Sequence, residues 1–243
     1  MALEPRGAFA QMSGRAGTVD QAAIDEGLRA YMLRVYNYMG SGLLLSGIVA
    51  FAVYSTPALF NAIFGSGLGM LVMFSPLALL LVMSFGFNKL SPTSLQGLYW
   101  AFCALNGVSM AAILAIYTGD SVAKVFFITA LTFGAMSLYG YTTKRDLSGW
   151  GSFLFMGVIG ILIAMVVNIF LGSSALSFVI SVIGVLVFTA LVAYDTQRIK
   201  SEFVAYRMEG GLATKTAVMG AVHLYILFVN IFQFLLMLLG NRE

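Results

Sequence analysis

Seven stretches of about 20 residues, apolar through their middles, are joined by short polar links along this chain. They fall at residues 35–54, 67–87, 97–117, 121–141, 150–171, 173–194 and 217–239. A bilayer core is about 30 Å thick, and a helix rising about 1.5 Å per residue needs about 20 residues to cross it. The runs are continuous rather than alternating, which predicts helices and not the strands of a closed barrel. The pattern therefore predicts an all-α membrane protein with seven transmembrane helices.

The polar residues between the runs orient the bundle. With the N-terminus inside, Arg6, Arg15, Arg29, Arg34, Lys89, Lys144, Arg145, Arg198, Lys200, Arg207 and Lys215 fall on inner segments, and Lys124 and Arg242 alone fall outside. This asymmetry predicts a cytoplasmic N-terminus and a C-terminus on the far side of the membrane. Short outer links at Gly119 and Asp120 and at Gly172 predict antiparallel helix hairpins, and residues 196–216 read as the one sizeable inner loop. Residues 1–28 contain no apolar run of signal-peptide length and read as a flexible cytoplasmic leader, with an interfacial helix expected from Asp20 into Tyr31; residues 29–243 form the transmembrane domain.

Small residues punctuate the spans. Gly42 with Ser46, Gly157 with Gly160, and Ser177 with Ser181 are expected where helix backbones approach closely. Pro76 lies in mid-span, so the carbonyl of Val72 loses its helical partner, predicting a kink that faces a wet cavity. Gly65, Gly67 and Gly69 form a glycine-rich outer link without a following lysine, a turn rather than a phosphate cradle.

Composition agrees with the pattern and narrows the chemistry. The 243 residues are 60% hydrophobic and 9% charged, where a soluble domain carries roughly 25% charged residues. A net charge of +3 with no basic run predicts no nucleic-acid partner. One cysteine, Cys103, and one histidine, His223, cannot build a disulfide or a common structural zinc site. No nucleophile elbow, P-loop, zinc-protease motif or pair of intramembrane aspartates occurs, so neither an enzyme nor a resident cofactor is expected.

What remains is a handful of polar residues near membrane depth. Asp195 ends the sixth run, either as an intramembrane acid marking a water path or as an interfacial carboxylate paired with Arg198 one turn on. His223 lies about two turns into the seventh run, either as a group titrating near neutral pH or as a hydrogen-bonded packing residue, with Asn230 on a similar face. Asn106 and Asn168 are expected to hydrogen-bond between helices.

Three segments then carry a resemblance. Thr143, Lys144, Arg145, Asp146, Leu147 and Ser148 lead into the fifth run; Tyr194, Asp195, Thr196, Gln197, Arg198 and Ile199 end the sixth; the seventh contains Leu224, Tyr225, Ile226, Leu227, Phe228, Val229, Asn230, Ile231 and Phe232. In order and topology these resemble the transmembrane Bax inhibitor motif family, in particular its bacterial members. The resemblance implies two three-helix layers around a central seventh helix, and a pH-sensitive calcium leak associated with stress control. It also implies a sensor of two aspartates latched by an arginine from the end of the second span.

The first aspartate of that sensor maps onto Asp195. Leu227 occupies the second position, and Asn88 and Lys89 stand near the arginine position. Two carboxylates sharing a site titrate as a coupled pair because they repel, and Asp195 alone cannot. His223, one turn before Leu227, is the candidate replacement, pairing with Asp195; Lys89 and Arg198 are the candidate latches. Calcium favours several oxygen ligands, so Asp195 with nearby carbonyls makes at most a weak calcium site. The expected function is a cation leak, calcium foremost, in a bacterial inner membrane with a periplasmic C-terminus. The alternative is a protein that modulates a membrane protease or stress system by contact.

Overall fold

The computed structural model describes residues 6–206 and 210–241, with side chains from Ile24 onward except that of Tyr206. Arg207 and Arg242, both used in the charge count, lie outside the described residues, as do residues 1–5 of the leader. Eight α-helices follow one another: α1 Arg6–Tyr54, α2 Pro57–Phe64, α3 Leu68–Gly86, α4 Pro92–Leu114, α5 Gly119–Thr142, α6 Gly151–Leu171, α7 Ser174–Tyr206 and α8 Gly210–Leu239. Seven of them are long and apolar enough to cross a membrane, and each contains most of one predicted span. Helix α2, eight residues without a buried side chain, is an addition the span pattern did not separate from the outer link.

The helix ends follow local chemistry. Ser91 and Thr118 accept hydrogen bonds from the N–H groups of Ser94 and Ser121 at the starts of α4 and α5, and Pro92 takes the first helical position where its missing N–H costs nothing. Gly172, at φ +59°, ends α6 in the left-handed conformation that a tight reversal needs.

Helices α1, α3 and α4 pack on one side and α5, α6 and α7 on the other, while α8 touches α1, α4, α5 and α7. The central helix is accordingly the most buried of the spans, with Leu224, Tyr225, Ile231 and Leu236 enclosed. Backbones meet most closely at two glycines. A Cβ on Gly107 would come within 2.6 Å of the Ser46 carbonyl oxygen, and one on Gly140 within 2.3 Å of the Ala193 carbonyl oxygen, so only glycine fits these α1–α4 and α5–α7 crossings. Gly42 and Gly157 face neighbouring side chains, Tyr99 with Cys103 and Val187, rather than the backbone expected there, and Gly160 meets nothing within 4 Å.

Two sequence expectations are corrected. The 196–216 segment is not a loop: α7 runs on to Tyr206 and α8 begins at Gly210. Its polar residues extend both helices beyond the apolar run, and hydropathy alone reads a helix leaving the membrane as a link. The carbonyl freed by Pro76 does not face a wet cavity either. The Val72 oxygen accepts from the hydroxyl of Ser75 at 2.7 Å, and Ser109 on α4, whose proton also faces its own Leu105 carbonyl at 3.1 Å, stands 3.3 Å away, so Ser75 chiefly replaces the missing N–H.

Candidate functional site

Asp195 lies well inside α7 rather than at its end. Consecutive helical residues turn by about 100°, so Tyr194, Asp195, Thr196 and Gln197 point round the whole circumference, and each meets a different neighbour. Tyr194 packs on Gly151 at the start of α6. Thr196, fully buried, lies 3.1 Å from the Ser137 hydroxyl of α5, which is 2.6 Å from the Tyr36 hydroxyl of α1. The Gln197 amide donates to the Arg145 carbonyl at 2.8 Å and accepts from the Leu147 N–H at 2.7 Å, clamping the link between α5 and α6. One turn on, the Lys200 ammonium donates to the Tyr141 carbonyl at 2.8 Å and covers the Tyr141 ring at 4.9 Å, a cation at the α5 C-terminus where free carbonyls gather.

Asp195 itself is 8% exposed. Its carboxylate is 3.2 Å from the Arg198 guanidinium, one helical turn on. The same guanidinium nitrogen, Nη2, is 3.0 Å from Nδ1 of His223 on α8. A guanidinium has no acceptor, so Nδ1 must accept, which makes His223 neutral with its proton on Nε2. Arg198 Nε is buried without a hydrogen bond, and Glu202 stands 3.7 Å away as a second, longer ion-pair partner.

The arrangement joins three of the four candidates and excludes the fourth. His223 does not pair with Asp195 directly; Arg198 stands between them. The physical reason is charge: a neutral imidazole and a carboxylate both have lone pairs to satisfy, and one guanidinium satisfies both. Lys89 is exposed in the link after α3, and among the described residues no ion pair joins it to Asp195. It is Lys215 of α8 that reaches the end of α3, over the Phe87 ring at 4.7 Å. Leu227, where the resemblance implies a second aspartate, is buried.

Asn168 ties the α6–α7 turn through Ser177 and Ser173, as expected. Asn106, expected to do the same, instead donates to the Phe102 carbonyl of its own helix, and Asn230 donates to the Ile226 carbonyl of its own. Asp146, outside the spans, accepts from the Ser148 N–H at 2.9 Å, which holds its carboxyl below the usual carboxylate range. Its contribution to stability is therefore present at neutral pH and lost only as acid protonates it below that range, too low for a response near neutrality.

Sequence reasoning missed the hydroxyl knots. Besides the row Tyr36, Ser137 and Thr196, Ser46 sits at the bundle centre with the Tyr225 hydroxyl at 2.7 Å and the Cys103 carbonyl at 2.7 Å. No sequence signal distinguishes these hydroxyls from many others in the spans. Among the described residues no three His, Cys, Asp or Glu side chains gather as for a metal. A calcium ion at Asp195 would have to displace Arg198 and rely on hydroxyl and carbonyl oxygens for its remaining ligands.

The whole chain resembles proteins from several bacteria. It is 46% identical over 227 residues to an uncharacterized protein of Rickettsia prowazekii, covering 93% of this chain and 95% of the relative. It is 47% identical to an uncharacterized protein of Caulobacter vibrioides, covering 91% of this chain and 92% of the relative. It is also 43% identical to the inner membrane protein YbhL of Escherichia coli K12, covering 89% of this chain and 94% of the relative. Residues 28–243 match the family model described as "Inhibitor of apoptosis-promoting Bax1". The residues read first at 143–148, 194–199 and 224–232 lie within that match, and the chain belongs to the Bax inhibitor family of membrane proteins.

Proposed function

We propose that this protein is a non-enzymatic, acid-sensitive cation leak of the bacterial inner membrane, calcium being its foremost substrate, with the N-terminus in the cytoplasm and the C-terminus in the periplasm. The observation that carries the reading is the Asp195, Arg198 and His223 cluster: a buried carboxylate neutralised by a guanidinium that a histidine also holds. Protonation of His223 would remove its acceptor and set a second cation against Arg198. Protonation of Asp195 would remove the charge that keeps Arg198 in place. Both steps release the guanidinium on acidification, and Glu202, the remaining acid beside it, offers it a place to go. Freed by protonation of His223, an Asp195 that is still ionised is the single strong oxygen ligand in this turn, suited to passing a cation rather than storing it. The bacterial relatives, among them a named inner membrane protein, support the location, and the charge asymmetry supports the orientation.

A second reading is favoured by the close packing around Tyr225, Ser46 and Phe102 on the bundle axis: a protein that acts by contact with a membrane protease or stress system and passes no ion. Calcium flux into proteoliposomes holding wild type or Asp195→Asn, between about pH 5 and 8, separates the two. The leak reading expects flux that rises on acidification in the wild type and loses that dependence in the variant. No flux above empty vesicles at any pH would leave the contact reading.

A further inference from the structure

Helices α1 and α5 belong to different three-helix groups, and their backbones stay apart while the Tyr36 and Ser137 hydroxyls bridge them at 2.6 Å. A cleft opens between them along the membrane-facing side. Towards the end of the bundle that carries Arg29 it measures about 530 Å³, lined by Arg29, Met32, Tyr36, Phe133, Gly134 and Ser137 among others. Further along the same two helices lies a second hollow of about 770 Å³ between Gly40, Gly47, Phe126 and Ala130, with Phe228 of α8 behind. Gly40, Gly47 and Gly134 would each meet nothing within 4 Å on gaining a Cβ. A glycine inside a helix costs about 1 kcal/mol against alanine. Unlike Gly107 and Gly140, these three let no neighbouring helix approach; what their missing side chains keep is the width of the cleft.

The polar groups of the cleft are graded along its length. Arg29 is exposed at one end and has no ion-pair partner among the described residues. The hydroxyls of Tyr36 and Ser137 follow, Tyr36 about 10 Å further along α1 at the helical rise, and beyond them the walls are almost wholly apolar. Cation, hydroxyls, then hydrocarbon is the complement of a phospholipid read from phosphate through ester carbonyls to acyl chain. In a bilayer the groove faces a solvent of such molecules.

We propose that the α1–α5 cleft is a binding site for one anionic phospholipid, with its phosphate at Arg29, its ester region at the Tyr36 and Ser137 hydroxyls and an acyl chain along Gly134, Ala130 and Gly47. The site stands on the cleft's geometry and does not rest on the leak reading. Its ester end touches the hydroxyl row that finishes at Thr196, beside Asp195.

The test is native mass spectrometry of the full-length protein in detergent, titrated with phosphatidylglycerol or phosphatidylcholine. Wild type is expected to retain one phosphatidylglycerol in preference to phosphatidylcholine. Arg29→Gln is expected to weaken phosphatidylglycerol about fivefold, the effect of one basic residue near an anionic headgroup, and to weaken phosphatidylcholine, whose choline offsets the phosphate charge, by less. Gly134→Leu and Gly47→Leu are expected to weaken both lipids by filling the channel for the acyl chain. Unchanged phosphatidylglycerol binding in Arg29→Gln overturns the headgroup assignment. Wild-type retention in a leucine variant with native circular dichroism overturns the cleft; should both leucine variants misfold, Arg29→Gln, altered at an exposed position, decides alone.

Discussion

The guanidinium of Arg198 has a carboxylate on one side and an imidazole on the other, and it reaches both through one nitrogen. That geometry separates the acceptor role of His223 from its ability to titrate. His223→Gln keeps an acceptor for Arg198 yet carries no proton in the neutral range, so it should lower stability by less than about 1 kcal/mol while flattening any acid response. His223→Leu strips the acceptor and leaves the guanidinium underpaired, which should cost about 1–3 kcal/mol. Thermal unfolding in detergent at fixed pH, compared across the two variants, checks the difference; equal losses would mean the imidazole only fills space. Asp195 and Arg198 were legible as a pair one turn apart, and His223 as a neighbour. That Arg198 joins them was not, because the join depends on how α7 and α8 are set side by side, and spacing within one helix says nothing of that.

Among the elements, α7 is organised round a single turn in which four successive residues have four different partners, one of them Arg198 of α7 itself. Such a turn tolerates no sliding, and the Gly140 crossing is where α5 holds it. Gly140→Ala would drive a Cβ into the Ala193 carbonyl, an overpacking expected to cost about 1–3 kcal/mol. Gly134→Ala, one and a half turns away on the same helix and facing the cleft, should instead gain up to about 1 kcal/mol of helix propensity. Denaturation midpoints of the two variants should therefore move in opposite directions; a common shift would mean the α5–α7 contact is looser than its geometry. Sequence alone could not assign these glycines, since both read as small residues in a span. It likewise read 196–216 as a loop because charge enters α7 before the helix ends.

For the molecule as a whole, the seven spans were readable because length and hydropathy are properties of the chain itself, whereas the hydroxyl knots, the cleft and the α1–α5 seam exist only after the helices assemble. Orientation rests on charge and is open to direct measurement. Cys103 is fully buried, so a single introduced cysteine reports alone. A membrane-impermeant maleimide added to intact cells whose outer membrane has been made permeable is expected to label Gly119→Cys and to spare Ser148→Cys; the reverse pattern would invert the bundle. At this scale the serine bridge under Pro76 gains a further meaning. The Ser109 hydroxyl of α4 shares its one proton between the Leu105 carbonyl of its own helix and the Val72 carbonyl of α3, a link between the two helices at the depth where α3 would otherwise bend most easily. An opening of the bundle along the other seam, between α1 and α5, would have to break the 2.6 Å contact between the Tyr36 and Ser137 hydroxyls, which makes that pair the latch of the seam.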